Sequence, residues 1–490
     1  MSESEFTPIT EGQATVLFSK TEAEAFYNPV QELNRDLSIS VISSYLLSQK
    51  EEHEKTQKEY HPVVVEALAA SGLRSIRYAK ELPQEVDFKV ISNDISKTAV
   101  EAINRNAKYN NATRIIPSES DAVLMLYKLS QEKNKADVID LDPYGAPTQF
   151  LDASFAAIRD NGLMAVTCTD MACLAGTHVP ACYSKYGAMP WHSSCGHEFG
   201  LRLALQALAE TASRHKKYIV PLVCFHIDFY VRMFIIVKSS VSLSGELPLH
   251  EGLVFTCLSC ESFCCNKLGY DKDGKMKASP LRITSNICEH CKSPLHINGP
   301  VWMDDYIDYD FTRKLLKRYQ ENEGLHVNSR RRIMALLQLL SDELPNTPLF
   351  YALDRAAHFF KLSVPPRSIF VQALESKGFK TSFSHTYPNS IKTNADAVTV
   401  WDLFREFNSQ NPSKVSEQTP AYVLLKEKQK TVFELTQFKK IKEKKPNPLF
   451  VEKPGKNWGP GCKKKKTLTN KINSMGEDKK EKEKDEDLDI

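Results

Sequence analysis

The stretch Ala136-Asp-Val-Ile-Asp-Leu-Asp-Pro-Tyr-Gly-Ala146 decides how the first half of this chain folds. Its apolar residues around Ile139 predict a buried strand, and Asp142 then stands at the carboxyl end of that strand. Open α/β sheets place their reacting groups at this edge. Taken alone, the triplet Asp142, Pro143 and Tyr144 favours a simple turn after a strand, so the functional interpretation depends on the surrounding sequence.

A strand end of this composition suits chemistry on an exocyclic amine. The lone pair of such an amine is delocalised into the base ring, which makes the nitrogen a poor nucleophile. An enzyme must therefore accept a hydrogen bond from the N–H group and hold the ring in place. Asp142 with Pro143 can accept the hydrogen bond, and the ring of Tyr144 can hold the base.

A second strand, turn and helix pattern lies upstream, where Val63–Ala67 runs into Ala69–Arg77. The small residues at the start of the second segment let the backbone turn tightly, as nucleotide-binding turns do. The segment lacks the G-x-G-x-x-G pattern of dinucleotide-binding turns. The sequence therefore favours a smaller ligand that carries adenosine.

Acidic residues follow the next two predicted strands. Asp94 ends the strand Lys89–Asp94 and lies about 22 residues after Gly72, close to the ~20 typical of a carboxylate that binds ribose hydroxyls. Asp121 follows a third strand around Ile115. Each aspartate alone is also compatible with a helix cap or a turn. Their recurrence at strand ends indicates a site for S-adenosylmethionine.

Several longer motifs occur in one order between about residues 10 and 405. They are Phe26–Val30, Asn34–Leu37, Ala69–Tyr78, Asp140–Gly145, Thr167–Met171, Cys182–Gly187 and Ile391–Ala395. Together they resemble the motifs of the eukaryotic tRNA (guanine(26)-N(2))-dimethyltransferases. The resemblance implies an enzyme that transfers two methyl groups from S-adenosylmethionine to the N2 amine of guanine at position 26 of tRNA.

The resemblance also implies roles for individual residues. The positions that match the family's S-adenosylmethionine-binding residues are Arg35, Arg74, Asp94, Asp121 and Ala122. The positions that match its catalytic pocket are Asp142, the catalytic acid, with Pro143, and the aromatic walls Phe26 and Tyr144. In this assignment the two arginines bind the methionine carboxylate, a charge-assisted contact, and Asp142 accepts a hydrogen bond from the amine.

Cysteine spacing predicts a structural zinc site. The chain contains 12 cysteines, an acidic start, no secretory signal and no apolar run of membrane-spanning length, so a disulfide framework is not expected. Two C-x-x-C motifs, Cys257 with Cys260 and Cys288 with Cys291, fit a four-thiolate zinc site. The rival ligands that the pattern leaves open are Cys264, Cys265 and His290. A closed site of this kind holds structure and leaves no open position for catalysis.

The predicted fold class is α/β, with a Rossmann-like methyltransferase domain at residues 1–240. A zinc-binding insert at 241–300 and a smaller α+β tRNA-binding domain at 301–410 follow it, and 411–490 form a basic tail that is expected to be largely disordered. Within the first domain, 152–160 and 197–215 read as helices, and 219–226 and 229–238 as an antiparallel pair. No obligate protein partner is evident.

Positive charge is concentrated in the second half, although the net formal charge is only +3. The clusters are Arg330–Arg332, Lys377–Lys380, Lys392 and Lys426–Lys466, interleaved with Phe379, Phe383, His385 and Tyr387. A surface of this kind fits the phosphates of a folded RNA, although any one cluster is compatible with a solvated basic face. The lysine run Cys462–Lys466 fits either an RNA-binding arm or a nuclear import signal, and the nucleus is the preferred location, ahead of the cytoplasm or mitochondrion.

Two alternative functions fit parts of the same pattern. A methyltransferase of this fold could act on another exocyclic amine, such as that of adenine in DNA or RNA. A protein without catalytic activity could keep the fold and bind RNA through its basic surface. The presence of Asp94, Asp121 and Asp142 argues against a protein without activity.

Overall fold

The computed structural model describes residues 6–19, 27–133, 135–321, 327–441 and 447–451. Phe26, one of the predicted aromatic walls, lies outside the described residues, as do the lysine run at 462–466 and most of the predicted tail. No helix in the described ranges is long and apolar enough to cross a membrane.

The first half of the chain alternates strands and helices. Its elements are β1 (Phe6–Glu11), β2 (Ala14–Ser19), α1 (Glu32–Lys55), β3 (Val63–Glu66), α2 (Leu73–Glu81), β4 (Lys89–Asp94), α3 (Lys97–Tyr109), β5 (Ile115–Glu119), α4 (Ala122–Ser130), β6 (Ala136–Leu141), α5 (Thr148–Ala157), β7 (Ile158–Cys168), α6 (Met171–Leu174), α7 (Val179–Tyr186), α8 (Gly196–Arg214), β8 (Lys217–Ile227) and β9 (Tyr230–Ser239).

The second half has shorter strands. Its elements are α9 (Val241–Ser244), β10 (Glu251–Cys257), β11 (Phe263–Lys267), β12 (Gly269–Lys272), β13 (Lys275–Ala278), β14 (Leu295–Trp302), α10 (Tyr309–Gln320), α11 (Arg330–Asp342), β15 (Tyr351–Ala352), α12 (Leu353–Phe359), α13 (Arg367–Ser376), β16 (Thr381–Ser382), β17 (Ser390–Thr393), α14 (Ala397–Gln410), α15 (Pro420–Lys426) and α16 (Pro448–Val451).

A seven-stranded sheet in the order β5-β4-β3-β6-β7-β9-β8 forms the centre of the first half. The first five strands in this order run parallel, and β9 and β8 add an antiparallel pair at one edge. Every residue of β6 is buried, as expected for a parallel strand covered on both faces. The predicted Rossmann-like fold and the predicted antiparallel pair are confirmed. Because the strand order reverses between β3 and β6, a cleft opens at their carboxyl ends.

The boundary between α5 and β7 differs from the sequence expectation. A helix was expected to continue to Asp160, but α5 ends at Ala157 and Ile158 already pairs with Ala136 of β6. Pairing with the neighbouring strand supplies backbone hydrogen bonds that a longer helix would have to replace. The local pattern contains no information about that partner.

Two hydrophobic cores are present in the described ranges. The larger one includes the seven-stranded sheet and its helices, and α10 and α11 also pack into it. The smaller one contains apolar residues of α12 to α15 together with the four cysteines of the C-x-x-C motifs. A three-stranded sheet, β11-β10-β14, carries the first of these motifs at the end of β10. The domain boundaries expected from the sequence stay predictions.

A buried network of charged side chains joins the sheet domain to the C-terminal part. Glu198 of α8 accepts hydrogen bonds from Lys392 Nζ at 2.8 Å and from Arg202 Nε at 3.0 Å. Glu343, after α11, lies 3.3 Å from Lys392 Nζ and 2.7 Å from His385 Nδ1. Burial by itself raises the pKa of Glu198, but Lys392 and Arg202 bring that pKa below its ordinary value. The charges of two buried glutamates are therefore balanced by two buried cations.

Lys392 was expected to contribute to a basic RNA-binding surface, and that expectation is wrong. Its side chain is 1% exposed, and His385, expected on the same surface, is also buried. The physical reason is the pairing of β17 with β15 and β16, which places Lys392 in the interface opposite Glu198. Lys377 and Lys380 remain exposed, as expected.

Replacing Lys392 by alanine should lower the free energy of unfolding by about 3–5 kcal/mol, because it leaves two glutamates without their shared buried counter-charge. Chemical denaturation of the full chain measures this change. Lys428→Ala, at an exposed lysine, is the matched control and should shift the free energy by less than about 0.5 kcal/mol. Equal effects of the two substitutions would show that the buried network does not stabilise the fold.

Candidate active site

The carboxyl ends of β3, β4 and β6 surround a cavity of about 440 Å³. Its walls come from α1, from the loops after these strands and from the turn between β8 and β9. The lining residues include Arg35, Glu66, Ala69, Ala70, Ser71, Arg74, Asp94, Ile95, Asp142, Pro143, Tyr144, Thr169 and Phe229. Residues far apart in the sequence thus face one space at the reversal point of the sheet.

The loop after β3 is held in a tight turn. Ala70 and Gly72 have φ values of +50° and +76°, in the left-handed region. A Cβ atom on Gly72 would lie 3.1 Å from the side chain of Ile103 on α3, so glycine allows both the backbone angle and the close approach of the helix. The turn brings the backbone of Ser71 to the cavity wall and begins α2 directly afterwards.

Asp94 is fixed at the end of β4 by two backbone hydrogen bonds. Its carboxylate accepts from the N–H groups of Ala70 and Ser96, each at 2.9 Å. Next to it, the buried side chain of Asn93 donates to the carbonyl oxygens of Ala67 at 3.1 Å and Ser120 at 3.0 Å. The loops after β3, β4 and β5 are thereby tied together, and Asp94 faces the cavity between them.

Asp121 and Ala122 lie at the end of the next strand. Asp121 caps α4, because its side chain accepts a hydrogen bond from the N–H of Leu124 at 3.0 Å. Ala122 is buried. Neither residue is among those that line the 440 Å³ cavity. Their predicted contact with the cofactor stays a prediction.

Arg35 reaches the cavity from α1. Its Nε atom is 2.5 Å from a carboxylate oxygen of Glu11, and Nη2 donates to the carbonyl of Asn28 at 3.0 Å. Glu11 also accepts from Arg77 at 2.8 Å. Although burial raises the pKa of Glu11, the two arginines bring it below its ordinary value. The strand β1 therefore fixes the orientation of the Arg35 guanidinium at the cavity wall.

The loop after β6 carries the proposed amine-binding residues. Asp142 forms an ion pair with Arg74 of α2. The loop is tied to the end of β7, because the N–H of Gly145 donates to Thr169 Oγ1 at 2.7 Å. Tyr144 lines the cavity and is 67% exposed, so its ring stands at the entrance. Asp142, Pro143 and Tyr144 all line the cavity, and their catalytic roles stay predictions; Phe26 falls outside the described residues.

Several residues at or next to the cavity have no role in the site that the sequence predicts. Glu66, at the end of β3, and Phe229, in the turn between β8 and β9, both line the cavity. Asp140 and Arg232 form a buried pair beneath it. A glutamate that ends the apolar run Val63–Val65 was a usable signal, whereas nothing in the local sequence indicates where Phe229 and Arg232 lie.

Glu66 is buried at the cavity wall. Its carboxylate is 3.7 Å from Arg74 Nε and accepts a hydrogen bond from Ser75. Burial nevertheless raises its pKa to about 8, and the nearby carboxylates of Asp140 and Asp142 add to that effect. Glu66 is therefore largely protonated at neutral pH, which limits the negative charge that Arg74 must balance.

Four buried cysteines meet at a separate place. The Sγ atoms of Cys257 and Cys291 are 3.3 Å apart, and those of Cys260 and Cys288 are 3.8 Å apart. All four lie within 4.8 Å of one another, so the group could hold a metal ion. Tetrahedral zinc with bonds of about 2.3 Å would separate its sulfurs by about 3.8 Å. The rival ligands Cys264, Cys265 and His290 do not belong to this group.

The sheet order and the cleft at its reversal point define a Rossmann-like S-adenosylmethionine-dependent methyltransferase. Within that class, the chain belongs to the N2,N2-dimethylguanosine tRNA methyltransferase family, whose model matches residues 5–405. It is 34% identical to the tRNA (guanine(26)-N(2))-dimethyltransferase of Drosophila melanogaster, over 89% of this chain and 84% of the relative. It is 31% identical to the mitochondrial enzyme of that name from Saccharomyces cerevisiae, over 93% and 92% of the two chains.

A solved structure shares the fold over most of the chain. It is the complex of Trm1 from Pyrococcus horikoshii with S-adenosyl-L-methionine, which superposes with a TM-score of 0.65 at 26% sequence identity. The match covers 79% of this chain and 97% of the archaeal protein. The predicted family and fold class are thus confirmed.

The elevated pKa of Glu66 makes a pH-dependent contribution to stability. Between its ordinary value of 4.5 and about 8, the unfolded chain loses this proton and the folded chain keeps it, so stability falls as the pH rises. In Glu66→Gln this contribution is absent, and the variant should gain stability relative to the unmodified chain as the pH is raised from about 5 to about 8.

Chemical denaturation at several pH values across this range measures the difference between the two proteins. Glu101→Gln, at an exposed position of α3, is the control and should show a difference that does not change with pH. Parallel stability curves for Glu66→Gln and the unmodified chain would contradict the assigned protonation state.

Proposed function

We propose that this chain is a tRNA (guanine(26)-N(2))-dimethyltransferase that uses S-adenosylmethionine. The observation that carries the proposal is the single cavity that Asp94 of β4, the turn after β3 and Asp142 after β6 all face. Membership of the family supports the same conclusion. The cavity volume of about 440 Å³ lies within the range of small-molecule sites, as a cofactor site requires.

The cofactor half of the proposed site is formed by β3, β4 and α1. Asp94, held by two backbone N–H groups, is placed to accept hydrogen bonds from ribose hydroxyls. Arg35 and Arg74 carry the positive charge for the methionine carboxylate. Asp121 and Ala122 are proposed for the adenine end, by analogy with the family. When bound, S-adenosylmethionine supplies an electrophilic methyl group.

The base half is formed by the loop after β6. Tyr144 offers a ring at the entrance on which a flipped guanine can stack, and Phe26 is proposed as the opposite wall. Asp142 accepts a hydrogen bond from the N2 amine and takes up the proton that this nitrogen releases once the methyl group has been transferred. Alignment of the amine with the methyl group in an enclosed site recovers on the order of 7 kcal/mol or more of the barrier. The second methylation requires the same contacts with one N–H group fewer.

Exposed basic residues support tRNA as the partner. Lys377 and Lys380 lie beside Phe379 at the end of α13, and Arg367 stacks on Phe383 at 3.9 Å. Contacts from such residues to phosphates would position the folded tRNA, and only the target base would enter the cavity. The nucleus is proposed as the location because of the lysine run at 462–466, while the mitochondrial relative from yeast leaves that organelle as the alternative.

Zinc is the metal proposed for the four-cysteine group. Four thiolates form a closed tetrahedral set. They would connect the loop after β10 with the loop before β14 and fix both against the smaller core. A closed set leaves no position for a water or a substrate. The proposed zinc therefore stabilises the fold and takes no part in methyl transfer.

The assay that tests the function is mass spectrometry of nucleosides from unmodified tRNA incubated with the full chain and S-adenosylmethionine. Dimethylguanosine is the expected product, and its loss from a tRNA in which position 26 is not guanosine would confirm the site. Methyladenosine would show that the enzyme acts on the amine of adenine instead. The absence of any product from well-folded protein would favour an RNA-binding role without catalysis. Either outcome overturns the proposal.

Asp142→Asn should lower the methylation rate by at least about 100-fold, because the amide is a weaker acceptor and cannot take up the proton. Binding of tRNA, measured by filter retention or fluorescence, should change by less than about 3-fold, since the basic surface is intact. Asp152→Asn, on the exposed side of α5, is the matched control and should keep full activity. Loss of tRNA binding with an intact fold would contradict the role of Asp142.

The purified chain should contain one zinc ion per molecule, and Cys288→Ser should remove the ion and lower the melting temperature. Cys264→Ser changes a thiol on β11 outside the group and should retain zinc. Elemental analysis and thermal unfolding measure the two effects. The four-cysteine assignment would be contradicted if Cys264→Ser lost zinc, or if a chelator left the melting temperature unchanged.

A further inference from the structure

A second layer of charged and polar side chains lies directly beneath the cavity. It joins α1, α2, β6, β7 and β9, and its members are Asn34, Ser38, Arg74, Tyr78, Asp140, Thr167 and Arg232. Four of them, Asn34, Tyr78, Asp140 and Thr167, belong to the motifs on which the family resemblance rests, yet the proposed function gives them no role.

Asp140 is the centre of this layer. Arg232 donates Nη1 to one oxygen of Asp140 at 2.9 Å and Nη2 to the other at 2.7 Å, a bidentate pair. Tyr78 donates its hydroxyl to Asp140 at 2.5 Å. Burial raises the pKa of Asp140, but Arg232 and Arg74 bring that pKa below its ordinary value. The carboxylate is therefore charged and fixed in orientation.

Arg74 links this layer to the cavity. Its Nη1 atom lies 3.4 Å from Asp140 and 3.2 Å from both Asn34 Oδ1 and Ser38 Oγ. Its Nη2 atom forms the ion pair with Asp142. Because the guanidinium is planar and rigid, contacts that fix Nη1 also fix the direction in which Nη2 points.

The remaining contacts of Arg232 explain why the layer is rigid. Besides Asp140, it donates to Thr167 Oγ1 at 2.9 Å and to Ser38 Oγ at 2.8 Å. Arg232 is fully buried and sits on β9, and Asp140 sits on β6, so β7 lies between their strands. The groups that contact Nη1 of Arg74, which are Asn34, Ser38 and Asp140, are thus themselves held by side chains of β7 and β9.

We propose that Asp140 and Arg232 are positioning residues that hold Arg74 against Asp142, and so set where the acceptor carboxylate lies during methylation of the amine. This inference rests on the proposed function. Asp140 and Asp142 occupy alternate positions of one strand end, so both can reach the same guanidinium. Neutralising Asp140 leaves Arg74 with Asp142 as its main counter-charge, which turns that carboxylate away from the amine.

The variants that test the proposal are Asp140→Asn, Arg232→Met, Arg232→Lys and the double variant Asp140→Asn with Arg232→Met. Each is compared at equal concentration of folded chain by kcat and KM for tRNA, by chemical denaturation and by calorimetric binding of S-adenosylhomocysteine. The matched control is Asp402→Asn, which breaks a buried aspartate–arginine pair with Arg405, remote from the cavity.

Asp140→Asn should lower kcat by about 100-fold, the loss expected for a displacement of about 1 Å, while KM for tRNA changes by less than about 3-fold. S-adenosylhomocysteine should bind more weakly, because Arg74 moves. Arg232→Lys should give an intermediate kcat, because an ammonium group retains the charge but cannot form the bidentate pair. Asp402→Asn should lose stability and keep its kcat.

The double variant separates positioning from stability. Removing both charges should restore part of the stability that each single substitution loses, because no unpaired buried charge remains. Its kcat should stay low, because the contact between Asp140 and Arg74 is still missing. Recovery of kcat together with stability, or a kcat in Asp140→Asn within about 3-fold of the unmodified chain, would overturn the inference.

If Asp140→Asn does not fold, the double variant and Arg232→Lys decide the same question through the same readouts. The unmodified chain is assayed first, because its failure to produce dimethylguanosine would reject the proposed function itself. Dimethylguanosine from the unmodified chain, combined with normal kcat in the variants, rejects the positioning role alone.

Discussion

The ion pairs of buried Asp140 with Arg74 and Arg232 tie the candidate active site to the sheet. Removal of these charges from water costs several kcal/mol per ion, and close geometry between the paired groups is needed to offset that cost. The arrangement therefore tolerates little displacement of β6 relative to α2 and β9. The ion pair with Arg74 therefore also fixes Asp142, which follows β6.

A second buried network of charged side chains connects the sheet domain with the C-terminal part. Glu198 and Glu343 are neutralised by Lys392 and Arg202, and the contacts connect α8 with β17 and the segment after α11. These contacts fix the C-terminal part against the sheet domain.

The four cysteines lie in a part of the chain whose own strands bury little apolar surface. Around them the chain forms a three-stranded sheet and an isolated two-stranded hairpin, β12 with β13, in which nearly every side chain is exposed. Such short strands bury little apolar surface, and bonds to a metal would supply the missing stability. The buried thiols lie in the same hydrophobic cluster as Trp401 and Phe404 of α14, so the insert is also packed against the C-terminal helices.

The sequence by itself determined the elements whose signals are local. Apolar runs that end in Asp94 and Asp142 predicted two strands and the sheet edge at which they meet. The C-x-x-C spacing identified the four cysteines that the fold brings together. Only the tertiary structure decided which charges are buried together. Arg232 meets Asp140 across 92 residues, and Lys392, which reads as a surface cation, is enclosed opposite Glu198. The physical reason is that periodicity and spacing report on neighbours along the chain, whereas the partner of a charged side chain depends on how whole strands and helices pack.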